Sequence, residues 1–195
     1  MSKIENTVAT ELLSSPHRKI SPSLLARKIL CPAYVPAPLL AEDRLRFLGF
    51  HAMATLQVIG RHLRTGYCLK AIEKWGNGFR IDLVFESSTG RIRRSEVKSA
   101  KQITEVHRIQ AALYWDPTCD EIVVSNGETD IVLTDEYIQS TQRKAKITLA
   151  LLTNHPQVAA STFKPNPALC RICANSSCLF LSSTGSSIVS LSQDK

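Results

Sequence analysis

Asp82, Glu96 and Lys98 fall within a single stretch, RIDLVFESSTGRIRRSEVKSAK, residues 80–101. Residues 81–85 form a β-prone run with a carboxylate set into it. Ser87, Ser88, Thr89 and Gly90 make a turn cluster, and residues 91–99 read as the return strand. A turn centred on Thr89 places Asp82 opposite Glu96. Because strand side chains alternate, Glu96 and Lys98 share one face, opposite Leu83, Phe85 and Val97. Paired carboxylates repel each other unless a cation sits between them. Their oxygens suit a hard divalent ion, Mg2+ or Mn2+. A neighbouring lysine is suited to orienting an attacking water and offsetting charge that builds on a phosphate. The bland alternative is a solvated hairpin face carrying an ordinary Glu/Lys pair.

A second constellation lies near the other end. Cys170, Cys173 and Cys178 form C-x2-C-x4-C in a loop that follows prolines. Three clustered cysteines need a fourth ligand for a tetrahedral zinc site or a cuboidal iron–sulfur cluster. Cys31, at a helix end beside Pro32, is the best candidate. Cys68, in an apolar run, and Cys119, before a strand, read as ordinary buried thiols. The spacing favours a metal centre and leaves zinc and iron–sulfur both open.

The elements that must position these groups are legible from periodicity and breakers. Ser21 and Pro22 open a short helix over 24–30, which ends at Cys31 and Pro32. Pro36 and Pro38 keep the next residues extended. A long amphipathic helix is expected over 42–63, with Leu45, Leu48, Ala52, Leu56 and Ile59 at helical spacing. His51 lies on it beside Phe47, Leu48, Ala54 and Val58, where it reads either as a core histidine or as a ligand. A strand over 67–72 and a turn at Gly76, Asn77 and Gly78 lead into the hairpin. Thr104 caps a helix over 105–115 that places His107, Gln110 and Tyr114 on one stripe, read as a polar and aromatic edge beside the hairpin. Strands over 121–125 and 130–133 are joined through Asn126 and Gly127, a hairpin signal. Thr134 caps a helix over 135–153, stopped by His155 and Pro156, with Arg143, Lys144 and Lys146 on its surface.

The 195 residues suit one folded domain over 21–180 with a real core. Residues 1–20 are polar and mixed, and 181–195 are Ser-rich, expected to be disordered. The net charge of +7 fits a polyanionic partner. No apolar run approaches membrane-spanning length, and no signal peptide is expected. Reduced cysteines and a cytoplasmic location follow as expectations.

Taken in order, these pieces resemble the RecB-like PD-(D/E)xK nucleases that carry an iron–sulfur cluster, and most nearly the CRISPR-associated Cas-four exonuclease family. SPSLLARKILCP is similar to the family's serine-capped opening helix ending in Cys-Pro. Gly49, Phe50 and His51 match its histidine helix. Asp82, the Glu96-Val97-Lys98 triplet, and the Gln110 to Tyr114 spacing match its D…ExK…QxxxY order, and the three late cysteines follow. The resemblance covers about residues 21–179. Two departures stand out: Ala52, Met53 and Ala54 follow His51 where the family often has Glu, and the Cys173 to Cys178 spacing is short.

The resemblance implies an α/β fold with a restriction-endonuclease-like core. A mixed central sheet would be flanked by helices, and an iron–sulfur region would join the N-terminal helices to the C-terminal loop. It implies that His51, Asp82, Glu96 and the Val97 carbonyl bind Mg2+ or Mn2+, with Asp82, Glu96 and Lys98 catalytic. It implies that Gln110 and Tyr114 hold single-stranded DNA, and that Cys31, Cys170, Cys173 and Cys178 hold a [4Fe–4S] cluster. Arg94, on the face of Glu96 and Lys98, becomes the first candidate for a phosphate contact, with Arg143, Lys144 and Lys146 along the strand path. The implied activity is exonucleolytic trimming of spacer precursors beside a CRISPR integrase, with oligomers allowed. The alternative is a non-catalytic DNA-end-binding subunit of an adaptation or repair complex.

Overall fold

The structure is a computed structural model, described here for residues 20–38, 40–75, 79–154, 166–175 and 178. Its centre is a five-stranded mixed sheet in the order β1 to β5: Tyr67–Trp75, Arg80–Ser87, Ile92–Val97, Glu121–Ser125 and Asp130–Val132. Only β3 and β4 run parallel; the other neighbours are antiparallel. Among the described residues five helices accompany it: α1 Pro22–Leu30, α2 Ala41–Arg64, α3 Glu105–Ala112, α4 Asp135–Asn154 and the short α5 Pro167–Cys170. The expected α/β class with a mixed sheet flanked by helices is therefore observed. The turn at Gly76, Asn77 and Gly78, the helix stop at His155 and Pro156, most of the 1–20 segment and the Ser-rich 181–195 tail lie outside the described residues.

Local chemistry explains the starts and stops. Ser21 Oγ accepts the Leu24 N–H at 3.2 Å and Pro22 begins α1. Thr134 Oγ1 accepts the Tyr137 N–H at the start of α4. Gly90, with φ 79°, closes the β2–β3 turn, a conformation that favours glycine. The register pairs Leu83 with Ser95 and Val84 with Arg94, which sets Asp82 opposite Glu96 one step further on, as the turn predicts. The helix expected over 105–115 stops at Ala112. Arg94 Nη1 takes the Tyr114 carbonyl at 2.7 Å, so the chain turns there rather than continuing.

One expectation about side-chain placement on α2 is corrected. The stripe Leu45, Leu48, Ala52, Leu56 on α2 is exposed, and only Ile59 of that set is half-buried. The helix docks instead through Ala54, Val58 and His62, which pack on Leu83, Phe85 and Val97. Short side chains at 54 and 58 let the helix approach closely, and the His62 ring stacks on Phe85 at 4.4 Å. Two apolar stripes lie on this helix, and periodicity alone does not say which one meets the sheet.

The β4–β5 hairpin forms over the expected strands, and its connection runs from Asn126 to Thr129. Ser125 pairs with Asp130, leaving four residues between the strands. Asn126 Oδ1 accepts the N–H groups of Glu128 and Thr129 at 2.9 and 2.7 Å. Arg61 then clamps the loop from α2, bonding both Asp130 carboxylate oxygens and the carbonyls of Asn126 and Gly127. The Asn126 side chain and Arg61 together fix the loop.

Candidate active site and cysteine centre

β2 and β3 carry the two carboxylates, and the pairing of these strands brings them together. Asp82 Oδ2 accepts the Val97 N–H at 2.8 Å, which ties the first carboxylate to the strand of the second. His51, on α2, places Nε2 3.8 Å from Asp82 Oδ1. Lys98 Nζ contacts Glu96 Oε1 at 2.5 Å, and its backbone N–H continues the parallel pairing by donating to the Ser125 carbonyl. His51, Asp82, Glu96, Val97 and Lys98 are thus assembled at one place by three elements.

Glu96 does not face solvent, contrary to the hairpin expectation. It is 4% exposed, because α3 crosses from β3 to β4 and lays Gln110 over it. Gln110 Nε2 donates to Glu96 Oε1 at 2.6 Å, and its Oε1 accepts from Lys98 at 3.0 Å. The same Nε2 donates to the Tyr114 hydroxyl at 2.8 Å. Burial pushes the Glu96 carboxyl up to about 7; Lys98 opposes the rise and Asp82 adds to it. Its other oxygen, Oε2, is buried and without a hydrogen-bond partner.

Gln110 and Tyr114 therefore do not form an open edge. Both are buried, and the Tyr114 ring stacks on Phe79 at 5.0 Å. Burial is also the main reason the Tyr114 hydroxyl is pushed well above the usual tyrosine range, with Glu96 next. These side chains support the carboxylate from behind instead of offering a surface to a strand of nucleic acid. His107 accepts the Thr104 N–H at the start of α3. Burial, then Lys98 and Arg27, hold its imidazole down to about 4.

Arg94 is the clearest correction. It is buried, on the same side of β3 as Glu96, but its guanidinium is committed to the protein. It bonds the Tyr114 carbonyl, Asp116 and Thr118, and Asp116 is held below the usual carboxylate range despite its burial. Arg91 and Arg93 both pair with Glu121. Parity placed Arg94 on the right face, but the Asp116 that consumes its charge lies beyond the strand. Arg143, Lys144 and Lys146 are exposed on α4.

Docking of the C-terminal loop on the residues after α1 brings Cys31 within electrostatic reach of Cys170, Cys173 and Cys178. Pro36 bridges Cys173 as an isolated antiparallel pair, and Ala174 N–H donates to the Val35 carbonyl at 2.9 Å. Asn175 Nδ2 donates to the Ala33 carbonyl at 2.8 Å, and Tyr34 reaches the Ile172 carbonyl. Burial pushes the Cys31 thiol up and the Ala33 N–H pulls it back, while the thiols of Cys173, Cys170 and Cys178 add to the rise. Cys119 is buried as expected; Cys68 is exposed on β1.

Sequence reasoning missed Lys28. Its Nζ donates to the carbonyls of Pro32 and Tyr34 at 3.0 and 2.9 Å, which fixes the turn after Cys31 and sets a cation beside Cys31 and Cys173. Its position three residues before Cys31, on the same helical side, was the available signal. Arg61 was missed as well, since nothing near it in sequence announces the 126–130 loop.

Among the described residues, no three His, Cys, Asp or Glu side chains already stand close enough to enclose a metal ion. No helix of the described residues is long and apolar enough to cross a membrane. No protein-family model, curated protein or solved structure matches the chain.

Proposed function

We propose that this protein is a divalent-metal-dependent nuclease acting on single-stranded DNA ends, of the RecB-like PD-(D/E)xK type. One observation carries the reading: Asp82 and Glu96 lie side by side on paired strands, with Lys98 on Glu96 and His51 beside Asp82. The donor set of imidazole and carboxylate suits Mg2+ or Mn2+, and the orphaned Oε2 of Glu96 is a buried acceptor in need of a cation. When bound, the ion would supply Lewis-acid polarisation of a phosphoryl oxygen and a nucleophilic water. His51, Asp82, Glu96 and the Val97 carbonyl are its proposed ligands.

The protein's own groups divide the remaining work. Lys98 positions the water and offsets charge on the phosphate. Gln110 fixes Glu96, and Tyr114 fixes Gln110, so both act as positioning residues behind the ligands. Arg143, Lys144 and Lys146 remain the cations proposed to follow the DNA backbone. Trimming of spacer precursors beside a CRISPR integrase is the biological setting the resemblance suggests.

The second cofactor proposed is a [4Fe–4S] cluster on Cys31, Cys170, Cys173 and Cys178. The donor chemistry suits it, because Cys31 feels the charges of Cys170, Cys173 and Cys178, Lys28 stands beside Cys31 and Cys173, and four thiolates on a cluster leave net negative charge to balance. The group would tie the residues after α1 to the C-terminal loop.

The test is end-labelled single-stranded DNA incubated with the protein and Mn2+, with and without chelator. Shortening that needs the metal and disappears in Glu96→Gln and Asp82→Asn is expected. Equal cleavage by the wild type and both variants would overturn the assignment.

A further inference from the structure

Helix α2 runs well beyond what the sheet needs. Its buried residues are Ala54, Val58 and His62, all in its second half, so the first turns project from the body. Twenty-four residues span about 36 Å. One side of this rod carries Leu45, Leu48, Ala52, Met53, Leu56 and Leu63, all exposed, with Ile59 half-buried among them. Leu45, Leu48, Leu56 and Met53 are each more than half exposed. Isolated exposed leucines need no explanation; a continuous stripe at helical spacing does. Among the described residues, nothing covers it.

We propose that this stripe is the self-association surface of the protein, with a second copy of α2 lying antiparallel across it. The choice of occupant rests on one charge pair: Glu42 in the first turn of α2, and Arg64 in the last, where Arg61 is already paired with Asp130. Arg44 and Arg46 follow Glu42 and Asp43, so the first turns as a whole are not acidic. Parallel copies would set Glu42 against Glu42 and Arg64 against Arg64. Antiparallel copies set Glu42 of each against Arg64 of the other. Glu42 and Arg64 are both exposed, and each lies eleven positions from Met53.

A two-fold axis through Met53 therefore brings each Glu42 to the Arg64 of the second copy, twice per dimer. The same axis places Leu45 beside Gly60 and Leu63 of the second copy, and Leu48 beside its Leu56 and Ile59. The pairing is self-complementary, as a closed two-fold dimer requires. A Cβ at Gly49 would meet nothing within 4 Å, so the second helix finds room to approach there. His51 lies on the docking side of α2 toward Asp82, so the pairing leaves the carboxylate site uncovered.

The experiment is sedimentation equilibrium on the full chain at micromolar concentration. The wild type is expected at about twice 21.6 kDa. Leu48→Glu with Leu56→Glu, at positions already solvent-exposed in one copy, should weaken association about a hundredfold and leave the circular dichroism unchanged. Glu42→Arg alone and Arg64→Glu alone should each weaken it roughly tenfold, and the double swap should return it to within about threefold of wild type. A monomeric wild type, as when residues 1–19 cover the stripe instead, would overturn the proposal. So would a dimer insensitive to the two glutamates, or one that the double swap fails to restore.

Discussion

Gln110 holds Glu96 through one nitrogen and the lysine of Glu96 through one oxygen. Its Nε2 donates to Glu96 Oε1 at 2.6 Å while its Oε1 accepts from Lys98 Nζ at 3.0 Å. One amide thereby orients both members of the Glu96–Lys98 pair, and Tyr114 shares the same nitrogen. Gln110→Ala should cost about 1–3 kcal/mol of stability, because it strands buried polar groups. It should also lower the cleavage rate more than Mn2+ affinity. Urea unfolding and a rate-against-Mn2+ titration check the two effects separately.

Tyr114→Phe should be mild, because the ring stack on Phe79 survives and only the hydroxyl, which accepts from Gln110 and bonds Glu96, is lost. Tyr114→Ala should cost about 3–5 kcal/mol, as buried aromatics do when truncated. A direct DNA contact through the ring would give a different pattern: weaker DNA binding with unchanged stability. Binding and thermal melting on the same two variants distinguish the roles.

The pH dependence of stability follows from Glu96. Its carboxyl is raised from the ordinary range to about 7, chiefly by burial, so the folded state binds that proton more tightly than the unfolded chain. The favourable contribution is fully present below about pH 4.5 and is lost as pH rises through about 7. Glu96→Gln removes the titration. In metal-free protein its melting temperature relative to wild type should therefore climb between pH 4.5 and 7 and level off above. A difference that stays flat with pH would mean that Glu96 is not held protonated. His107 works in the opposite sense, since its folded-state value near 4 loses stability as pH falls from about 6.5. It is common to both proteins and cancels in the comparison.

Arg94→Ala should destabilise by about 3–5 kcal/mol, because it leaves Asp116 without its guanidinium. The salt dependence of DNA binding should not change, since the side chain is committed internally. Alanine at Arg143, Lys144 and Lys146 together should flatten the salt dependence and leave melting nearly unaltered.

Cys31→Ala and Cys173→Ala should yield colourless, poorly soluble protein, while Cys68→Ala should keep the brown colour of anaerobically purified wild type. Lys28→Met keeps much of the side chain's bulk but removes the cation and its two carbonyl bonds; it should bleach faster in air. Metal analysis reads the outcome directly. About one zinc per chain in place of iron would replace the cluster assignment and keep the four ligands.

Much of this arrangement was legible in residue order. Ser21, Pro22 and Cys31 marked a helix and its end, and the 87–90 turn cluster fixed the register that sets Asp82 opposite Glu96. What escaped depended on a second layer. A carboxylate in a strand reads as solvent-facing, and nothing within the hairpin says that Gln110 will be laid over Glu96. Arg94 looked available because Asp116 is a neighbour only in space. The docking side of α2 was misjudged because Leu45, Leu48 and Leu56 make a stronger apolar signal than Ala54 and Val58. Local spacing reports the elements; which faces meet is set by the partners they find.

The strand order has a consequence for how the site comes into being. β1, β2 and β3 pair with strands close to them in sequence, whereas β3 meets β4 only after the chain has crossed through α3. Contacts between near neighbours close small loops and cost little entropy, so this meander is expected to form first. In that order Asp82 and Glu96 meet while still hydrated, and Glu96 loses its water only when α3 arrives with Gln110. Pulse-labelled hydrogen exchange should then show β2–β3 amides protected before those of α3 and β4. Simultaneous protection of all four elements would contradict this sequence of events.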